Sequence, residues 1–251
     1  MEQSTRARKI MFFMPFFGGG GGERIVSHLS LYMPETLQKV IVAFEGQAHY
    51  PYQGKTVLLK IPLPKNPFFK AVAFLRGCFA FRKVILQENP DYVVSLGSIT
   101  SIINLFTSNK AVVRIGNPIT KGHERWLEKA YPLLVKLCFN RAKKIIAISQ
   151  GSREELVKNF GVKRDKITVI YNFIDVTKTR GLAQEPLEAV HQEIFRHPVV
   201  INIANFVEQK GQKYLLKAFK LVKATLKDAK LVFIGKGPLE AELKKMAQVL
   251  G

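Results

Sequence analysis

The sequence is poor in cysteine and in acid, and it has no long apolar run. Cys78 and Cys138 are the two cysteines in 251 residues, far apart and in apolar surroundings. They offer neither a disulfide framework nor a zinc-ligand spacing, so a reducing, cytoplasmic setting is expected and no metal is. No apolar stretch approaches the roughly 18 residues that a membrane-spanning helix needs. The N-terminus imitates a secretory signal, with Arg6, Arg8 and Lys9 ahead of Ile10–Phe17. That stretch is short and Pro15 interrupts it. Glycines follow in place of a small-residue cleavage site, so it reads as a buried first strand.

The scarcity of acid leaves 39 Lys+Arg against 19 Asp+Glu, a net charge of +20. Residues 1–150 hold 21 basic and 8 acidic side chains, and residues 151–251 hold 18 and 11. Such an excess favours anionic partners: nucleic acid, phosphorylated ligands or an acidic membrane face.

Along the chain, short runs rich in Val, Ile and Phe alternate with helical patterns. Strands are expected at Ile10–Pro15, Lys39–Phe44, Lys55–Ile61, Tyr92–Ser95, Ala111–Ile115, Lys144–Ile148 and Lys166–Tyr171. Helices are expected at Gly22–Met33, Pro67–Leu86, Ser98–Thr107, Glu124–Arg141 and Gly151–Asn159. Strands buried on both faces and separated by helices indicate a parallel α/β sheet. From Val176 to His197 the pattern lapses into a mixed polar stretch read as a linker. It restarts as strand (PVVINIANF), helix (Gly211–Lys223), strand (AKLVFIG) and helix (Pro238–Leu250). Two strands cover a parallel sheet poorly, so this second domain reads as incomplete.

Three motifs carry chemistry. The first is the run of five glycines, Gly18 to Gly22. A dinucleotide fingerprint, G-x-G-x-x-G, fails because its sixth position is Glu23, and no P-loop signature follows. What remains is a glycine loop at a helix N-terminus, able to present backbone N–H groups to an anion, or else a flexible turn. The second is the stretch Ile203 to Phe219, where a strand ends in a loop carrying Lys210 and Gly211 before an amphipathic helix. That places a cation at the positive end of a helix, as a diphosphate site requires; taken alone, Lys210 is an ordinary solvated lysine. The third is Val232 to Leu243, where Gly235, Gly237 and Pro238 fit a tight strand-to-helix turn.

Taken together these residues resemble the nucleotide-sugar glycosyltransferases of family 4, over nearly the whole chain. Gly20-Gly21-Gly22-Glu23-Arg24 is similar to the family's G-G-x-E-R. Ile145-Ile146-Ala147-Ile148-Ser149 with Tyr171-Asn172-Phe173-Ile174-Asp175 resembles the end of its first domain. Ala204-Asn205-Phe206 through Gln209-Lys210-Gly211 resembles G-R-L…x-K-G, and Ile234-Gly235-Lys236-Gly237-Pro238 resembles I-G-x-G-P. The resemblance implies a GT-B-like α/β fold. Its parts would be an acceptor-side Rossmann-like domain over residues 1–175, a linker at 176–197, and an incomplete nucleotide-sugar donor domain over 198–251. It implies that Gly20, Gly21, Gly22, Lys210 and Gly211 face the donor diphosphate, with Gly235 and Gly237 forming a donor-domain turn. The implied reaction is retaining sugar transfer from a nucleotide sugar to a glycan or lipid-linked acceptor, with no cofactor and no metal.

Three departures qualify the resemblance. Asn205 stands in place of the family's usual arginine. Arg114-Ile115-Gly116-Asn117 stands where a histidine is often found, which makes Asn117 and His123 the acceptor-side candidates; for His123 a surface position is the plainer alternative. The chain also stops before any E-x7-E segment, so a truncated or partner-dependent half-enzyme is an alternative expectation, with a complementing C-terminal half as its partner. A nicotinamide-dependent oxidoreductase is a second alternative, weakened by Glu23.

Two basic regions interleave aromatics. Lys60–Gln87 holds six cations, no acid, and Phe68, Phe69, Phe74, Phe79 and Phe81; Lys121–Lys144 holds Trp126, Tyr131 and Phe139. They suit peripheral attachment to the inner face of an anionic membrane, unless the aromatics face the sheet. No nucleic-acid-binding motif is present.

Overall fold

The computed structural model describes residues 7–62, 67–117, 119 and 127–250, without the side chains of 67–70 and 127–130. The chain forms two compact units, Met1–Ile174 and Asp175–Gly251.

The first unit is a seven-stranded parallel sheet. Its strands are β1 (Lys9–Phe17), β2 (Gln38–Gly46), β3 (Lys55–Leu58), β4 (Tyr92–Leu96), β5 (Ala111–Ile115), β6 (Lys144–Ala147) and β7 (Ile167–Val169). They lie in the order β3-β2-β1-β4-β5-β6-β7. Parallel neighbours need long crossovers. The helices that supply them are α1 (Gly21–Tyr32), α2 (Pro67–Glu88), α3 (Ser98–Thr107), α4 (Leu127–Cys138) and α5 (Gln150–Phe160).

The run KIMFFMPFF has no polar face because β1 is covered on both sides. Met11 and Phe13 pack with Phe81 of α2 and Ile103 of α3, whereas Phe12, Met14 and Phe17 pack with Val26 of α1. Phe13 stacks on Phe81 with ring centroids 3.8 Å apart. Gly77 lets α2 come this close, since a Cβ there would meet Phe44 at 3.0 Å and Ile103 at 3.2 Å. A third cluster joins α3, α4 and α5 to β5, β6 and β7.

The aromatic regions are therefore split. Phe81, Tyr131 and Phe139 belong to the core, each at most 2% exposed, and cannot serve a membrane face. Phe79 points outward and Phe74 is half-buried. Phe68, Phe69 and Trp126 lie outside the described side chains.

The second unit holds α6 (Val176–Leu182), α7 (Ala189–Ile194), β8 (Val199–Ile203), α8 (Gln212–Thr225), β9 (Lys230–Ile234) and α9 (Glu240–Leu250). The segment expected to be a linker thus contains two short helices. Asp175 caps α6 by accepting a hydrogen bond from the Lys178 N–H at 2.8 Å. Neither helix buries a residue, which is why no apolar periodicity marks them. The pair β8 and β9 is parallel. A small core of Phe206, Leu216 and Leu243 lies against it.

Candidate functional site

In an open parallel sheet, ligands gather beyond the carboxyl ends of the strands, where the strand order reverses. Here the reversal falls between β1 and β4. The turns leaving that edge are Gly18–Gly20 after β1, Gly97 after β4 and Gly116-Asn117 after β5. The glycine loop and the exposed Asn117 thus share one edge of the first unit. His123 lies outside the described residues.

The glycines after β1 are not explained by their own backbone or packing. A Cβ on Gly18, Gly19, Gly21 or Gly22 would meet nothing within 4 Å, and none of these residues has a left-handed φ. Gly46 is the contrast: its φ is +113° and a Cβ would stand 2.1 Å from the Phe17 carbonyl oxygen. The loop at α1 is therefore open on the side of Gly18, Gly19, Gly21 and Gly22, and Gly20 offers no side-chain cap to the first N–H groups of the helix.

Glu23 tempers the site. Its carboxylate folds back over Gly20, where a Cβ would lie 2.4 Å from Oε2. A glutamate at the third helical position commonly reaches back to the cap in this way. It also offsets part of the positive end of the helix dipole. Tyr50 donates from its hydroxyl to the Gly19 carbonyl at 2.9 Å, and Tyr52 to the Glu23 carbonyl at 3.2 Å. Burial, and then the neighbouring Glu23, push the Tyr52 phenol up to about 12. The two tyrosines anchor the loop to the segment after β2. Reading the sequence missed them, although Tyr50-Pro51-Tyr52 was a visible cluster.

In the second unit, the turns after β8 and β9 lie side by side. The Phe206 N–H donates to the Lys236 carbonyl at 2.9 Å and the Leu239 N–H to the Phe206 carbonyl at 3.2 Å. Gly235 and Gly237 are explained by this packing. A Cβ on Gly235, whose φ is +157°, would stand 2.0 Å from the Ala204 carbonyl oxygen, and one on Gly237 2.4 Å from that of Phe206. Gly211, at φ +69°, takes the left-handed conformation that starts α8. Lys210 precedes it and is exposed; its N–H donates to the Val207 carbonyl at 2.9 Å, and its ammonium group has no hydrogen bond or ion pair among the described residues. Its neighbour Lys213 instead bridges Glu208 at 2.5 Å and Glu242 at 2.9 Å. Gln212, which the motif reading also overlooked, is 1% exposed and donates from Nε2 to the Asn205 carbonyl at 3.0 Å. It ties the start of α8 to the loop carrying Asn205, itself exposed.

Among the described residues, no group of three or more His, Cys, Asp or Glu side chains comes together to hold a metal ion. None of the described helices is long and apolar enough to cross a membrane.

The family model described as Glycosyltransferase Family 4 matches residues 19–178, and that described as Glycosyl transferases group 1 matches residues 184–251. The chain belongs to glycosyltransferase family 4, and its fold is that of the GT-B glycosyltransferases.

Among similar proteins, an uncharacterised glycosyltransferase of Methanocaldococcus jannaschii is 27% identical over 74% of this chain and 49% of its own length. The N-acetylgalactosamine-N,N'-diacetylbacillosaminyl-diphospho-undecaprenol 4-alpha-N-acetylgalactosaminyltransferase of Campylobacter jejuni is 21% identical over 97% of this chain and 67% of its own. Anabaena HepE, solved in complex with UDP and glucose, superposes with a TM-score of 0.68 at 15% identity, over 97% of this chain and 66% of that one. This chain therefore spans about half to two thirds of the length of these relatives.

Proposed function

We propose that this chain provides the acceptor-side domain and the beginning of the donor domain of a retaining glycosyltransferase. The enzyme moves a sugar from a nucleotide diphosphate to a glycan or lipid-linked acceptor. The observation that carries this reading is the glycine loop at α1, where neither backbone conformation nor packing requires a glycine at 18, 19, 21 or 22. The UDP and glucose bound by HepE, and the diphospho-undecaprenol named for the Campylobacter enzyme, support a nucleotide-sugar donor and a lipid-linked acceptor.

In this chemistry negative charge grows on the departing diphosphate, and fixed donors that meet it lower the barrier. Lys210 supplies a cation at the N-terminal end of α8, whose first N–H groups have no side-chain cap. The Gly20–Gly22 amides supply neutral donors. Asn205 offers a hydrogen bond where the family's arginine would offer charge. Calorimetry with UDP tests the assignment: Lys210→Ala is expected to weaken binding about tenfold, the worth of one charge-assisted hydrogen bond. Equal affinities would remove Lys210 from the site. The nicotinamide alternative has little left, because Glu23 stands at the sixth position of the G-x-G-x-x-G fingerprint, where a glycine is needed.

A partner-dependent half-enzyme is a second reading, favoured by the second unit, where Ile203 of β8 is 74% exposed and Ile234 of β9 is 50% exposed. Sugar transfer by the isolated chain would sink it. Transfer that appears only when a second polypeptide is added would support it.

Peripheral membrane attachment belongs to the same proposal. Val72, Leu75, Phe79 and Leu86 recur at helical spacing along α2 and are exposed, with Arg76, Arg82 and Lys83 interleaved. Apolar side chains ringed by cations suit an interfacial helix on anionic lipid. Phe79→Glu is expected to weaken sedimentation with phosphatidylglycerol vesicles, and salt to weaken it further. Binding indifferent to both would leave α2 as an ordinary surface helix.

A further inference from the structure

A cation inside an otherwise apolar parallel strand needs a reason. Arg114 stands on β5, in register between Leu96 of β4 and Ile146 of β6. Side chains alternate along the strand: Ala111, Val113 and Ile115 join the cluster with α3 and α4, while Val112 joins the cluster with α1. Arg114 therefore shares the α1 face. It is only 9% exposed.

No carboxylate pairs with Arg114 among the described residues, and its one hydrogen bond runs from Nη2 to the uncharged Oδ1 of Asn172 at 2.5 Å. A guanidinium carries five N–H groups, so most of its donors have no acceptor among the described residues. The nitrogens without one are not sealed from solvent. Burial lowers the guanidinium pKa, which is the direction expected for a charge held without a counter-ion. Nη1 lies 3.1 Å from where a Cβ on Gly116 would be, which puts the guanidinium beneath the turn at the carboxyl edge, where such sheets bind ligands.

Asn172 is itself placed by its neighbour. The Phe173 ring meets His28 at 5.7 Å and Tyr32 at 5.2 Å, both on α1. The segment after β7 is thus pinned to α1 and holds Asn172 over the end of β5. A buried charge without an ionic partner lowers stability, and an apolar side chain of similar length would pack there at no such cost. A site that keeps the charge is prepared for an anion.

We propose that Arg114 is the receptor for a phosphoryl group of the acceptor, with Asn172 as its positioning residue. The planar fork of a guanidinium pairs with two phosphate oxygens at once. The inference rests on the glycosyltransferase reading, in which the donor diphosphate is assigned its own cation, Lys210. A further phosphate then belongs to the acceptor.

The test uses the full chain, with geranyl phosphate as the acceptor probe, geraniol as its uncharged control and UDP as the donor probe. Arg114→Met is expected to bind geranyl phosphate at least about tenfold more weakly, with geraniol and UDP binding unchanged, and to melt no lower than the parent. Asn172→Ala, at an exposed position, is expected to fold and to weaken geranyl phosphate binding several-fold. Unchanged geranyl phosphate affinity in both variants overturns the proposal. So does a loss confined to UDP, which would assign the anion to the donor. Failure of the parent reading looks different: Lys210→Ala would then leave UDP binding unchanged, whatever Arg114 does.

Discussion

The two units use the same vocabulary, strand then glycine turn then helix, yet they bury it to very different depths. In β1, Met11, Phe12, Phe13 and Met14 are all at most 1% exposed. In β8, an equally aliphatic VVINI, Ile203 is 74% exposed and Val200 and Ile201 about two-fifths exposed. The difference lies in the number of neighbours. β1 has a strand on each side and helices over both faces, whereas β8 pairs with β9 alone. A hydrophobic strand is stabilised by its apolar side chains only to the extent that other elements remove them from water.

The largest test of this contrast is a core truncation in each unit. Phe13→Ala is expected to cost about 3–5 kcal/mol, because the ring stacked on Phe81 leaves a cavity between two covered layers. Phe206→Ala, in the smaller cluster with Leu216 and Leu243, is expected to cost less. Urea unfolding followed by circular dichroism reads both. Equal costs would break the comparison.

Next are the glycines, which separate structural from ligand-facing turns. Gly235→Ala forces a side chain into the Ala204 carbonyl and is expected to cost at least about 2 kcal/mol. Gly21→Ala meets open space. It is expected to be neutral or to stabilise by about 0.4–1 kcal/mol, through the unfolded chain. It should nevertheless reduce UDP affinity if the loop faces a diphosphate. Melting temperatures and UDP calorimetry together decide this. A destabilised Gly21→Ala with normal UDP binding would make the loop an ordinary turn.

The smallest effects come from two charge bridges of opposite pattern. In the first unit Glu88 sits between Lys55 at 2.5 Å and Lys9 at 3.2 Å, with its side chain 13% exposed. The hydrogen bond from Lys55, followed by that from Lys9, holds its carboxyl below the usual range. A lowered folded value contributes stability that is complete above the unfolded pKa, near 4.3, and is lost as pH falls through the folded one. Glu88→Gln is therefore expected to cost on the order of 1 kcal/mol at pH 7 and much less at pH 3. In the second unit Lys213 sits between Glu208 and Glu242 at the surface. Lys213→Met is expected to have the smaller effect, and salt should erase it. A pH-independent Glu88→Gln difference would contradict the bridge.

Much of the first unit was legible because parallel strands buried on both faces have no polar alternation to obscure them. β5 and α3 begin and end where the pattern predicts, and most other boundaries move by one to three residues. The short helices α6 and α7 were illegible for the opposite reason: they bury no residue, so no periodicity marks them. At the site, the open glycine loop and the exposed Lys210 stood where their motifs put them. The partners that shape the site did not show. Tyr50, Tyr52 and Asn172 reach across 31, 29 and 58 positions of chain respectively. Arg114 carried one signal that could have been used, a lone cation inside AVVRI.

By itself the sequence determined the α/β repeat, the two-part organisation, the glycine turns and the family, because these depend on residue type at fixed local spacing. Only the tertiary structure decided which aromatics are core and which are surface. It decided equally that Gly235 is steric while Gly21 is free, and that a buried arginine faces the carboxyl edge without a counter-ion. Those outcomes depend on what neighbouring elements place within a few ångströms of each side chain.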